Sequence, residues 1–220
     1  MTTTEMLIST IQRLENLAAQ HKDQYRCLKA QLEKEVVREE FSTGGETIHR
    51  GYYCPSPVQD IIVIGSKRGR LLKRLTEKSK PTYKYGFNAK GEMLFAKNLH
   101  YGFDFETIEL MVRQEHTEIG ITFSEEFGIQ EVSECVYSNG KLVSYAHGFG
   151  PRLRKEDYTY IENGPLEVNI YDYCGLTQHY KYNFQRDEEG YLQSFSLLEY
   201  NSNPNAVEGG IHDIKIRRKV

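Results

Sequence analysis

The sequence predicts an α+β protein, with a long N-terminal helix followed by a curved antiparallel β-meander of hairpin repeats. Three observations carry this expectation. Apolar residues recur at helical spacing through residues 4–40, the period changes to two after residue 40, and turn glycines then return at a nearly constant interval. The expected division is a helix over 1–40 and a repetitive sheet over 41–220, folded together as one unit.

In the first segment Leu7, Ile11, Leu14, Ala18, His21, Tyr25, Leu28 and Leu32 follow alternating steps of four and three, which puts them on one stripe. Thr2, Thr3 and Thr4 offer N-caps, and Glu5 sits in the first turn, where it complements the helix dipole. No Gly or Pro interrupts the chain before Gly44. Ala18 and His21 soften the seam. The stripe therefore has two readings: a helix lying across the sheet that follows, or a homodimeric coiled coil, for which about four heptads are only just enough.

Beyond residue 40, glycines mark turns at Gly45, Gly69, Gly91, Gly140, Gly164 and Gly190, at separations of 24, 22, 49, 24 and 26 residues. The 49 is close to two units, and the turn-like RQEHTEIG at 113–120 stands where the missing mark belongs. A unit of about 24 residues holds two strands of roughly eight to ten residues, a tight turn and a connector. The units read EFSTGGETIHRGYY, DIIVIGSKRGRLLKRLTE, TYKYGFNAKGEMLFAKN, TIELMVRQEHTEIGITFS, VSECVYSNGKLVSYAHG, DYTYIENGPLEVNIYDY and HYKYNFQRDEEGYLQSFSLLEY, with IHDIKIRRK as a last strand. NAKG, SNG, ENG and DEEG supply the Asn, Asp or Gly that positive φ requires. Such turns join antiparallel neighbours, so a meander of about 14 or 15 strands is expected. Twist of order 20° per strand pair then demands a barrel or half-barrel, a sandwich, or a sheet wrapped on the helix. The last is expected, because the helix has one apolar stripe to cover.

Composition excludes several classes. With 39% hydrophobic and 27% charged residues the chain supports a packed core and a hydrated surface. No run approaches 18 uncharged apolar residues, so no transmembrane helix and no membrane partner are expected. Glu5 and Arg13 interrupt the N-terminus where a signal peptide needs an unbroken apolar core, which makes a cytoplasmic location the expectation. A net charge of −3 argues against nucleic acid as a partner. Cys27, Cys54, Cys135 and Cys174 show no CxxC or CxH spacing and read as buried small hydrophobes. The seven histidines stand singly, with His147 and His179 the pair that folding would bring near; no metal or cofactor is expected. There is no G-x-S-x-G elbow and no cysteine in a telling context, so no catalytic residue is assigned and an enzyme is the least supported class. Glu125/Glu126 and Asp187/Glu188/Glu189 read as soluble turn residues.

The run YDYCGLT (Tyr171, Asp172, Gly175, Leu176, Thr177) resembles the tyrosine-aspartate repeat of Rhs-type bacterial proteins, which pairs a Y-D dipeptide with a Gly-hydrophobic-Thr turn. NAKGEM and SNGKLV look like the same turn grammar, although the full motif occurs once. In Rhs systems such repeats form a shell around a toxin, in chains far longer than this one. The resemblance implies a small bacterial protein from the same milieu, in the role of an immunity or binding protein that masks a toxin. It transfers no catalytic residue, because the motif is structural.

Two features present themselves as binding surfaces. The first is IIVIGSKRGRLLKRL at 61–75. Three residues separate Gly65 from Gly69 and no Gly-Lys-Ser/Thr follows, so a phosphate loop is not spelled out and the segment reads as a hairpin with SKRG as its turn. Its charge is unusual: Lys67, Arg68, Arg70, Lys73, Arg74, Lys78 and Lys80 face only Glu77, a local balance of +6. Such a strand binds phosphates or an acidic protein patch, or, as a solvated edge, discourages aggregation. The second feature is tyrosine. The chain has 16 Tyr and no Trp; Tyr83, Tyr85 and Phe87 share one side of a strand, as do Tyr180, Tyr182 and Phe184. Tyrosine offers wide contact at little entropic loss, and it equally packs cross-strand or covers a helix. The expected function is a non-enzymatic protein-interaction module. The alternative is a sheet holding a small or lipid-like molecule on a concave aromatic face.

Overall fold

The N-terminal helix begins at a reciprocal cap. In the computed structural model of the chain, the Thr2 N–H donates to Glu5 Oε2 (2.6 Å) and the Glu5 N–H to Thr2 Oγ1 (3.2 Å). The residues described are 2–99, 107–162, 164–200, 207–208, 211–215 and 218–220. Helix α1 runs Thr3–His21 and α2 Tyr25–Glu35. The single helix expected over 4–40 is thus two, parted at residues 22–24 by a turn in which the Gln24 N–H bonds the His21 carbonyl (3.0 Å). The break falls on the polar run His21, Lys22, Asp23, where there is least apolar surface to bury and propensity alone does not sustain a helix. The helical region also stops earlier than residue 40, since Val36 is extended and strand β1 begins at Arg38. Of the stripe, Leu7, Leu14, Ala18 and Leu32 are buried within the single chain, while Ile11, His21, Tyr25 and Leu28 are half-buried. No helix among the described residues is long and apolar enough to cross a membrane.

The chain divides into two compact units, residues 15–133 and residues 1–14 with 134–220. In the first, β1 (Arg38–Thr43), β2 (Arg70–Leu71), β3 (Tyr83–Phe87), β4 (Met93–Asn98), β5 (Thr107–Gln114) and β6 (Thr117–Ser124) lie in the order β6-β5-β4-β3-β1-β2. Helix α2 packs on β4 and β5, and the Tyr25 ring lies 4.6 Å from that of Phe123 on β6. In the second unit, β8 (Lys141–Phe149), β9 (Arg152–Tyr160), β10 (Leu166–Cys174), β11 (Thr177–Arg186), β12 (Leu192–Tyr200) and β13 (Val207–Glu208) follow one another in chain order, with β14 (His212–Asp213) also on β12. Arg13 of α1 meets Glu134 there at 2.6 Å. Strand β7 (Gly128–Ser138) stands between β6 and β8 in the order and contributes residues to both units. The antiparallel meander is therefore present, and the class is α+β. Its strand order ends at β2 and β13, so among the described residues the sheet does not close into a barrel.

Later hairpins form where the turn text places them. Asn139 and Gly140 both take positive φ (50° and 74°), the geometry that matches the twist of two flanking strands. The residues of RQEHTEIG turn at 115–116, and Asp187–Gly190 links β11 to β12. Of the expected last strand IHDIKIRRK, His212 and Asp213 pair with β12, while residues 216–217 lie outside the described residues.

The first two expected hairpins do not form. Residues 44–82 instead make a long excursion between β1 and β3, containing a 3-10 turn (Gly51–Tyr53), the short helix α3 (Gln59–Ile62) and β2. The DIIVI run starts as the end of a helical turn, entered through an ST turn in which Ser56, bracketed by Pro55 and Pro57, accepts the Gln59 N–H (3.1 Å) on its Oγ. Gly45 and Gly69, expected as turn marks, are crossing points. A Cβ on Gly69 would stand 2.7 Å from the Gly44 carbonyl oxygen, and one on Gly45 2.8 Å from the Gly69 nitrogen. Here glycine permits two backbones to touch, and its spacing carries no hairpin.

Candidate functional site

Alternation does place Tyr83, Tyr85 and Phe87 of β3 on one face, but the face is not open. They form a core cluster with Met93, Ala96 and Met111, and Tyr52 and Tyr53 of the excursion pack onto it. Tyr85 is 0% exposed, and its hydroxyl is a hub. It donates to the Arg50 carbonyl (3.0 Å) and accepts the Tyr52 N–H (3.1 Å) and the Ser42 hydroxyl (3.0 Å). Burial pushes its pKa up to about 12, against the opposing pull of those donors. The Tyr53 ring stands edge-on to Tyr85 (4.9 Å) and Phe87 (5.5 Å). The aromatic face expected to meet a partner is thus the seat of the chain's own excursion, since a row of aromatics gains more by burial than by display.

Two arginines fasten the excursion. Arg50, in the left-handed region at φ 58°, has a side chain only 2% exposed. Its Nε and Nη2 donate to the two Glu109 oxygens (2.9 Å each), Nη1 donates to Glu118 Oε1 (2.5 Å), and Nη2 to Ser133 Oγ (3.0 Å). Ser133 in turn donates to Glu109 Oε1 (2.7 Å), and His49 Nε2 lies 3.0 Å from Glu109 Oε2. Gly120 of β6 leaves room for this cluster: a Cβ there would fall 1.8 Å from Glu109 Oε1 and 2.6 Å from Arg50 Nη2. Burial disfavours an ionised Glu109, yet the Arg50 guanidinium and His49 beside it hold the carboxyl well below the usual carboxylate range. Such a pair is costly to break from one side, which suits a register pin.

Arg68 makes the second fastening. Its Nη1 donates to the carbonyls of Cys54 (2.6 Å) and Tyr52 (3.3 Å), its Nη2 to that of Ser56, and its Nε to Asp60 Oδ1 (3.3 Å). It gathers three carbonyls that no strand would satisfy. Of the basic residues expected to bind, Arg68 is therefore turned inward, while Lys67, Arg70, Lys73 and Arg74 are exposed, as are Lys78 and Lys80. Among the described residues these six exposed cations make no side-chain hydrogen bond or ion pair. Two apolar side chains stand among them: Ile64, entirely exposed, and Leu75, 50% exposed.

In the other unit Tyr182 and Phe184 lie on the buried face of β11, with Phe195 of β12 at 5.7 and 5.4 Å, while Tyr180 is half-buried and donates to Gln178 Oε1 (3.3 Å). The half-exposed aromatic row here is a different one. Tyr171, His179 and Tyr200 of β10, β11 and β12 stack at 4.4 and 4.7 Å, near the strand spacing of about 4.8 Å, so each ring covers its neighbour and braces the sheet. Burial, with Lys181 nearby, lowers the His179 pKa. His147 and His179 do not meet: three strand positions separate β8 from β11, and the register His147, Arg154, Asp172, Gln178 puts the two on opposite faces. A cleft of about 740 Å³ among the turns is lined by Lys141, Tyr160, Glu162, Arg186, Asp187 and Glu188, a charged lining unlike that of a lipid site. No three His, Cys, Asp or Glu gather to hold a metal among the described residues. Cys54 and Cys135 are buried as expected; Cys27 and Cys174 are exposed, the former off the helical stripe and the latter beside a turn.

Fold and site together define an α+β meander protein carrying a fastened excursion with a basic, apolar-tipped rim. No protein-family model matches the chain, nor does any curated protein or solved structure. Two residues of the Arg50 cluster leave a trace in the sequence. Glu109 interrupts the apolar run of TIELMV, and Gly120 sits inside a strand pattern, where glycine marks a close approach.

Proposed function

We propose that this chain is a non-enzymatic protein-interaction module, acting in the cytoplasm as an immunity or binding protein of a bacterial toxin system, with the rim of the excursion at 63–80 as its contact surface. One observation carries the proposal: Ile64 and Leu75 are held out in solvent on a segment fastened by the inward-turned Arg68 and, further back, by the buried Arg50. A chain that needed only a soluble edge would have no use for a fully exposed isoleucine at its tip. The expected aromatic ligand face is filled by Tyr52 and Tyr53, which leaves the rim as the better supported surface.

The test is cross-linking capture from the native cell, with full-length wild-type chain compared with an Ile64→Ser/Leu75→Ser variant. A protein retained by the wild type and lost by the variant is expected. If no protein is captured, or only a small molecule copurifies, the module reading fails.

A further inference from the structure

The rim is a strongly charged surface without internal compensation. Elsewhere in the same unit cations meet acids: Lys84 pairs with Glu39 (2.7 Å), Lys29 with Glu125 (3.5 Å), Arg38 with Glu40 and Arg113 with Glu118. Along 67–80 Arg68 turns inward to Asp60, while the six exposed cations face only Glu77 and form no ion pair among the described residues. Like charges so concentrated repel one another, and an opposing surface relieves that repulsion as it steers encounter.

The segment is also ordered before any partner arrives. The Leu72 N–H bonds the Phe41 carbonyl (2.8 Å), Ser66 Oγ donates to the Thr47 carbonyl (3.3 Å), Thr43 Oγ1 donates to the Lys80 carbonyl (3.2 Å), and the Thr76 N–H bonds Ser79 Oγ (2.9 Å). A rigid display loses little entropy on binding, unlike a loose basic tail. Its chemistry selects among anionic partners. No aromatic residue occurs in 63–80, so no base-stacking platform exists, and no helix there is long enough to read a groove. Two isolated apolar side chains are too few to anchor an interfacial segment in lipid, but they suit pockets at the centre of a protein contact.

Resting on the interaction reading above, we infer that the partner is a protein whose contact face is acidic and carries apolar depressions for Ile64 and Leu75. Charge sets the approach, and the two anchors set which acidic surface is kept.

The test uses the full chain and four fluorescent probes: a peptide of alternating Glu and Leu, poly-L-glutamate, phosphatidylcholine vesicles containing phosphatidylserine, and oligo-dT. Anisotropy (or co-sedimentation for the vesicles) is expected to show tightest binding to the Glu–Leu peptide, weakened about tenfold or more between about 50 and 500 mM salt. Lys67→Glu/Arg70→Glu/Lys73→Glu/Arg74→Glu abolishes it. Ile64→Ser/Leu75→Ser keeps poly-L-glutamate binding but loses the preference for the Glu–Leu peptide. Circular dichroism confirms that both variants fold. Tighter binding to the vesicles or to oligo-dT overturns the inference, as does peptide binding indifferent to salt, or none to either acidic polymer. A native partner still captured by the charge-reversed chain would sink this inference alone and leave the module reading standing; absence of any captured protein sinks the module reading itself.

Discussion

Arg50 shows how one side chain sets the position of a whole segment. Its guanidinium spends its donors on Glu109, Glu118 and Ser133, which come from β5, β6 and β7, while its own backbone carbonyl receives the Tyr85 hydroxyl. Truncation leaves the Glu109 carboxylate buried beside an empty space. Arg50→Ala is therefore expected to lose roughly 3–5 kcal/mol of stability, read as a lower urea midpoint with an unchanged slope. A loss below about 1 kcal/mol, the range of exposed pairs, would mean that water reaches the cluster.

At the scale of the element, the excursion is the part of the chain with least regular structure and most irregular fastening. Arg68 substitutes side-chain donors for the missing ladder, so it holds the segment locally and contributes little to the meander strands beyond it. Arg68→Ala is expected to raise the rate of limited tryptic cleavage within 67–80 several-fold while the later strands stay protected. Equal cleavage of wild type and variant would show that the glycine crossings at Gly44, Gly45 and Gly69 suffice. The exposed Arg70 on β2, an end of the strand order, also keeps that edge from pairing with another sheet.

For the whole molecule the consequence is a stability that falls at both ends of the pH scale. Glu109 has its folded pKa lowered from the ordinary 4.5, so its contribution is present above that value and is lost as pH falls below it. Tyr85 has its folded pKa raised from 10.0 to about 12, so its contribution is full below 10 and is lost as pH rises toward 12. Glu134 moves the opposite way, raised by burial despite Arg13, so the acid loss must be assigned with a variant. Urea midpoints across pH are expected to drop on the acid side for wild type and to flatten there in Glu109→Gln. A variant that keeps the same acid slope would place the effect on other carboxylates.

What the sequence by itself determined was periodic. The helical stripe, the switch to period two and the Asn-Gly, Asp-rich and Glu-His turns are local, and each is decided by a few neighbouring residues, so the later hairpins of the meander were legible residue by residue. The shared face of Tyr83, Tyr85 and Phe87 is legible in the alternation as well. Only the tertiary structure decided what covers it, because burial depends on which distant segment folds back, and that segment is held by partners 59, 68 and 83 residues from Arg50. For the same reason Gly69 serves as a crossing point while Gly140 is a turn, and of neighbouring Lys67 and Arg68 one faces solvent and the other gathers carbonyls. Spacing along the chain is a one-dimensional signal, and long-range charge pairing leaves almost no period in it.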